Sequence, residues 1–268
     1  MANCAFGLKN KVNSSSQLTG SAPMYTGSAV YRSFGPGNLA LDQGNQTAAF
    51  WSKGSDTAWF DVAYYPAEPV QAFFIGRTNL GQSATWTLTV KNGDTQVYTA
   101  TGTFATLGGV GPVQMVHVAP QPIMASDIRF DISANGSVWE SYIAISLAYV
   151  GPIWQPVRNY STKSTTGLDL GQTVNTGMAG AEFVTSAYAR RKAVVDHESL
   201  DIADVPVLEQ IALLGAAGSN VLFIPDPAAD PPTLNLRTLF GRIQRGDLSN
   251  PFGAAARQQT SFTITERL

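Results

Sequence analysis

The sequence predicts a mainly β chain, an antiparallel β-sandwich followed by a small α+β unit with one helix. Three observations lead there. Apolar and polar residues alternate strictly in several short segments between residues 38 and 150. Turn signals return throughout that region with no helical period between them. The apolar period switches to a helical one further on, around residues 205–215.

The elements follow in order. Residues 1–37 are rich in Ser, Gly and Asn and read as an N-terminal arm or an early strand. Residues 38–152 form the sandwich. In "FWSKGSDTAWFDV" (50–62) two tryptophans and two phenylalanines surround the polar turn Lys53-Gly54-Ser55-Asp56. Phe60 and Val62 alternate with Trp59 and Asp61, and the more apolar pair belongs inside. Trp59 is then turned outward or to the rim. "ATWTLTVKNG" sets Trp86, Leu88 and Val90 on one face and Thr85, Thr87 and Thr89 on the other. Asn92-Gly93 is a hairpin signal. "VQMVHVAP", "DIRFDISANG" and "SYIAISLAYVGP" add further strands. Residues 153–180 carry Pro, Gly, Ser and Thr with little apolar period and read as an extended connector. Residues 181–268 form the α+β unit. Its helix places Val205, Leu208, Ile211, Ala212 and Gly215 on one face, with Asp201 or Asp204 at its start and Gly215 or Gly218 at its end. "NVLFIPDP" is an apolar strand stopped by Pro225.

Composition narrows the function. Of 268 residues 44% are hydrophobic and only 13% charged, about half the usual charged share. Low charge with 25 Gly and 15 Pro suits a turn-rich β protein, or one whose surface is covered by neighbours in an assembly. A net charge of −2 gives no electrostatic case for nucleic acid. No run is long and apolar enough for membrane insertion, and Cys4, the single cysteine, allows no internal disulfide. The N-terminal residues lack a signal-peptide pattern, which leads us to expect synthesis in a cytoplasm.

Candidate chemistry is sparse. Asp196, His197, Glu198, Asp201 and Asp204 have the composition of a metal or acid–base cluster, but a polar strand-to-helix turn with capping acids accounts for them better. "LGGVGP" (107–112) runs into Pro112 and a strand, not the Lys and helix of a phosphate loop. Cys4, in an arm expected to be mobile, has no histidine near it in sequence. No catalytic set, metal site or cofactor is expected. A sugar site needs an aromatic face and a few fixed polar groups. Trp59, Asp56, Arg77 and Asn79 are the candidate ligand-binding residues, placed at one loop end of the sandwich.

Residues 38–150 also resemble the galactose-binding-like, or discoidin-like, jelly roll. Asp42, Thr47, Trp51, Ser52, Asp61, Gly76 and Asn79 occupy places that match its degenerate motif, though Thr47 and Trp51 are spaced more loosely than usual. Residues 151–268 resemble tail-tip and baseplate (distal-tail-like) proteins of long-tailed bacteriophages. Phe240-Gly241-Arg242 and Thr263-Ile264-Thr265-Glu266 carry that likeness. Together these resemblances imply a jelly-roll module followed by a tail-tube-like α+β domain. They imply a virion structural protein of the tail, made in the host cytoplasm and built into a homo-oligomeric ring of six or three copies. Its partners would be other tail proteins, with host surface polysaccharide as a further contact. The alternative is a carbohydrate-binding module outside any ring. A hydrolase with an appended sandwich comes third.

Overall fold

The computed structural model describes residues 3–21, 34–41, 44, 46–51, 56–138, 142–176, 178, 180–250 and 257–267. The chain is mainly β and divides into two compact units. One is Met1–Gln155 with Leu222–Thr238, the other Pro156–Val221 with Leu239–Leu268.

The first unit holds β1 (Ala5–Gly7), β2 (Gln17–Gly20), β3 (Ala48–Trp51), β4 (Thr57–Thr78), β5 (Thr85–Asn92), β6 (Thr95–Thr103), β7 (Met115–Ser133) and β8 (Tyr142–Gly151). Hydrogen bonding orders seven of them β3-β8-β4-β7-β5-β6, with β2 also on β4. Strands β4 and β7 are long enough to serve two layers. Residues 57–63 of β4 pair with 127–133 of β7, and 72–75 pair with 115–118, with register shifts between. Phe130 shows how the halves meet. Its ring stacks on its cross-strand partner Phe60 at 4.7 Å and meets Phe73, from the other half of β4, edge-on at 6.5 Å. Two layers therefore face each other across an aromatic core, which is a sandwich.

The expected core residues lie in it. Phe60, Val62, Trp86, Leu88 and Val90 are all buried. The Trp86 indole lies over its cross-strand partner Gly102, where an added Cβ would meet the ring at 2.5 Å, and its N–H donates to the Thr103 carbonyl at 3.2 Å. Glycine on β6 is thus the space the tryptophan occupies.

Three expectations need correction. The described part of the N-terminal segment takes the early-strand alternative and not the arm: β1 pairs with β11 (Asn220–Ile224) at Leu222–Ile224, β2 pairs with β4, and Cys4, Ala5 and Phe6 are fully buried. The stretch 153–180 is not only a connector. Thr165–Thr176 forms β9, paired along its length with β10 (Glu182–Asp201). Among the described residues there are also two α-helices rather than one. Besides α1 (Val205–Ala216) there is α2 (Pro231–Arg237), where the Asp230 carboxylate accepts the Thr233 N–H and prolines open the first turn. This second helix belongs to the first unit, because Asn235 seals it there. Asn235 accepts the Val116 N–H at 2.8 Å and donates to the Thr103 and Ala105 carbonyls.

The second unit runs β12 (Leu239–Arg245), β13 (Arg257–Glu266), β10 and β9. Ala193 and Val195 of β10 and Phe262 and Ile264 of β13 alternate inward, and Leu208 and Ile211 of α1 are buried. Gly215 allows α1 to touch the sheet, since a Cβ there would stand 2.7 Å from the Ile243 carbonyl oxygen. The Arg191 guanidinium grips the Glu266 carboxylate and ties β10 to the end of β13. No described helix is long and apolar enough to cross a membrane.

Two measurements test this packing. Trp86→Ala is expected to lower unfolding free energy by about 3–5 kcal/mol in denaturant titration, the range for large buried aromatics. His197 is buried edge-on to Phe262, and burial pushes its pKa down to about 4 from the usual 6.5. The unfolded chain therefore takes up this proton first, so stability falls as pH drops through 6.5 towards 4. Melting temperatures across that window should decline less for His197→Asn than for the native chain.

Candidate functional site

Alternation that buries one set of side chains turns the other set outward. Because Ala58, Phe60, Val62, Trp86, Leu88, Val90, Ile128, Phe130 and Ile132 fill the core, their neighbours form an outer face on β4, β7, β5 and β6. Strand register sorts these neighbours into rows. Thr57, Ser133, Thr85 and Thr103 lie abreast, then Trp59, Asp131, Thr87 and Thr101, then Asp61, Arg129, Thr89 and Thr99. β-Branched threonines suit such a pleated surface; the Thr99 hydroxyl donates back to the Leu88 carbonyl at 3.0 Å, while Thr101 and Thr103 are exposed.

The first two rows border an open groove of about 290 Å³, lined by Thr57, Trp59, Thr85, Thr87, Asp131 and Ser133. Arg129, from the third row, lies over the Trp59 ring with its guanidinium carbon 4.1 Å from the centroid. The guanidinium thus backs the indole, which also borders the groove. Arg129 Nε also donates to both oxygens of Asp131 at 3.1 and 3.2 Å, and an Arg129 Nη1 lies 3.7 Å from Asp61. Asn135, at positive φ, holds the near end. It donates to the Thr85 hydroxyl at 3.2 Å and accepts from the Ser133 hydroxyl at 2.8 Å.

Charge here is balanced around one guanidinium. Burial pushes the Asp61 carboxyl up; Arg129 opposes this most, while Asp127 and Asp131 add to it. Burial also raises Asp127, against the pull of Lys91 across the strands. Asp61 Oδ1 is buried with no hydrogen-bond partner among the described residues.

The four expected site residues fare differently. Trp59 lines the groove from within β4, not from a loop. Asp56 immediately precedes it at positive φ, with its carbonyl accepting the Ala134 N–H at 2.7 Å. Arg77 and Asn79 do not line the groove. Arg77 donates to the Gly44 carbonyl at 2.8 Å. The Asn79 amide donates to the Tyr142 carbonyl and accepts the Ala144 N–H, which fixes β8 beside the end of β4. Asp42 and Ser52 of the motif, the Lys53-Gly54-Ser55 turn and the side chain of Trp51 lie outside the described residues. Arg129, Asp131 and Asn135 are the site residues that sequence reading missed.

The acidic run near His197 is dispersed into structural contacts. Glu198 pairs with Lys163 and Ser161, Asp201 accepts the Ala203 N–H, and Asp204 accepts the Val157 N–H. Among the described residues no group of three His, Cys, Asp or Glu side chains is placed to hold a metal.

No protein-family model matches the chain, and no curated protein matches its sequence. Among solved structures it is similar to the family 32 carbohydrate-binding module of Clostridium perfringens NanJ solved with galactose, at 16% identity over 56% of this chain and 99% of that one, with a TM-score of 0.41. It is also similar to chitosan-binding module 1 from a Paenibacillus sp. IK-5 chitosanase/glucanase, at 17% identity over 53% and 98%, with a TM-score of 0.37. A fucose-binding module of Streptococcus pneumoniae is similar at 12% identity over 53% and 94%, with a TM-score of 0.37.

Proposed function

We propose that this chain is a non-catalytic carbohydrate-binding protein whose sandwich takes a glycan on the outer sheet face at Trp59. The observation that carries this reading is the indole itself. It is backed by Arg129 and borders a groove of hydroxyls and one carboxylate. An apolar ring beside hydroxyls that donate and accept matches a sugar, which offers C–H faces and a rim of hydroxyls. Binding costs little ordering, because Arg129, Asp131, Ser133 and Thr85 are already held by one another or by Asn135. In affinity electrophoresis through gels containing neutral polysaccharides, the native chain should be retarded. Trp59→Ala should run unretarded while its melting temperature stays within a few degrees of native. Equal retardation of the two would remove Trp59 from the site.

A second reading, assembly in a phage tail tip, is favoured by one feature. The β9–β10 hairpin leaves Leu168, Leu170, Val174, Phe183 and Val184 exposed. A two-stranded ribbon with apolar residues in water gains from a partner. Light scattering should then give a mass several times that of one chain, falling to a monomer in Phe183→Glu/Val184→Glu. A monomer at every concentration removes this reading.

A further inference from the structure

The rows of the outer face extend past the groove. From Thr57 and Trp59 they cross β7 and β5 and reach Thr103 and Thr101 on β6, the last strand in the sheet order. Neighbouring strands lie about 4.8 Å apart, so three intervals carry the hydroxyl rows about 14 Å from β4 to β6. Thr101 and Thr103 are exposed, and among the described residues no further strand pairs with β6 to close the track. Thr103 Oγ1 accepts a long 3.4 Å bond from the Ala105 N–H, which leaves its own proton to give.

The charges along this track select against anionic ligands. Asp131 is the charged side chain lining the groove, and it is matched by Arg129. Arg129 is itself held between Asp131, Asp61 and the Trp59 ring. A carboxylate or sulfate on the ligand would meet Asp131 without a guanidinium left to receive it.

We infer that the site takes an internal stretch of an extended, non-acidic polysaccharide laid across the strands from β4 to β6, rather than a single terminal sugar. This rests on the proposed binding at Trp59 and specifies the ligand there. One unit packs on Trp59 beside Asp131. Following units run over Thr87 and Thr85 and reach Thr101 and Thr103.

The full chain is screened by affinity electrophoresis against neutral galactan, mannan, glucan and xylan, with polygalacturonate as the anionic comparison. Calorimetry then uses one- to six-unit oligomers of whichever neutral polymer retards it. Affinity should rise by about tenfold or more from one unit to four and then level off. Thr101→Val with Thr103→Val, which keeps shape and strand preference, should weaken the four-unit oligomer by about tenfold and leave the single sugar unchanged. Affinity independent of length, or equal loss at every length in the double variant, overturns the extended track while the Trp59 site stands. Tighter retardation by polygalacturonate overturns the non-acidic assignment. Length-dependent binding that survives Trp59→Ala overturns the site itself, and no retardation by any polymer overturns both readings.

Discussion

The two-residue period of β4 and β7 is the constraint on which the sandwich and its outer face both depend. Phe60 and Phe130 stack inside only if Trp59, Asp61, Arg129 and Asp131 stand outside. A slip of one residue would bury two carboxylates and a guanidinium and expose the stacked rings. The core therefore holds the groove in register. No contact within the outer face has to supply that energy.

Arg129 links the two roles. Exposed ion pairs contribute little to stability, and this one is more than a third exposed. Its effect is positional. A planar guanidinium can stack on an indole and still donate in its own plane, and here it meets both Asp131 oxygens and approaches Asp61. The indole is thereby backed by a fixed guanidinium, and Asp131 lines the groove with acceptor capacity to spare. The hydroxyls at the near end are ordered in the same way by Asn135.

The parts of this arrangement legible in the sequence are those written within one strand. "TWTLTV" alone gives the inward Trp86, Leu88 and Val90, and "AWFDV" gives the outward Trp59. Arg129 and Asp131 were not legible, because they reach Trp59 through pairing about seventy residues away and register is a tertiary property. Strand β9 hid for another reason. It is exposed along most of its length, so no burial imprinted an apolar period on it. Helix α2 is seven residues long, too short for a periodic signal, and only its Asp-Pro-Pro start marks it. The sequence offers Asn79 as a loop group open to a ligand, yet its amide serves the backbone of β8.

That last contrast bears on where a ligand gains most. An amide already bonded at both ends to buried strands gains nothing by turning to a sugar. It would break two bonds to make them again elsewhere and leave a carbonyl and an N–H unpaired. Arg77 is similarly engaged with Gly44. On the outer face of β5 and β6, by contrast, Thr87 and Thr101 sit abreast on a surface open to water. Exchanging water for a sugar hydroxyl there conserves the number of hydrogen bonds, and the contact of a sugar ring with Trp59 is then a net gain. Recognition on this sandwich is accordingly expected where the fold leaves polar groups uncommitted, on the sheet face.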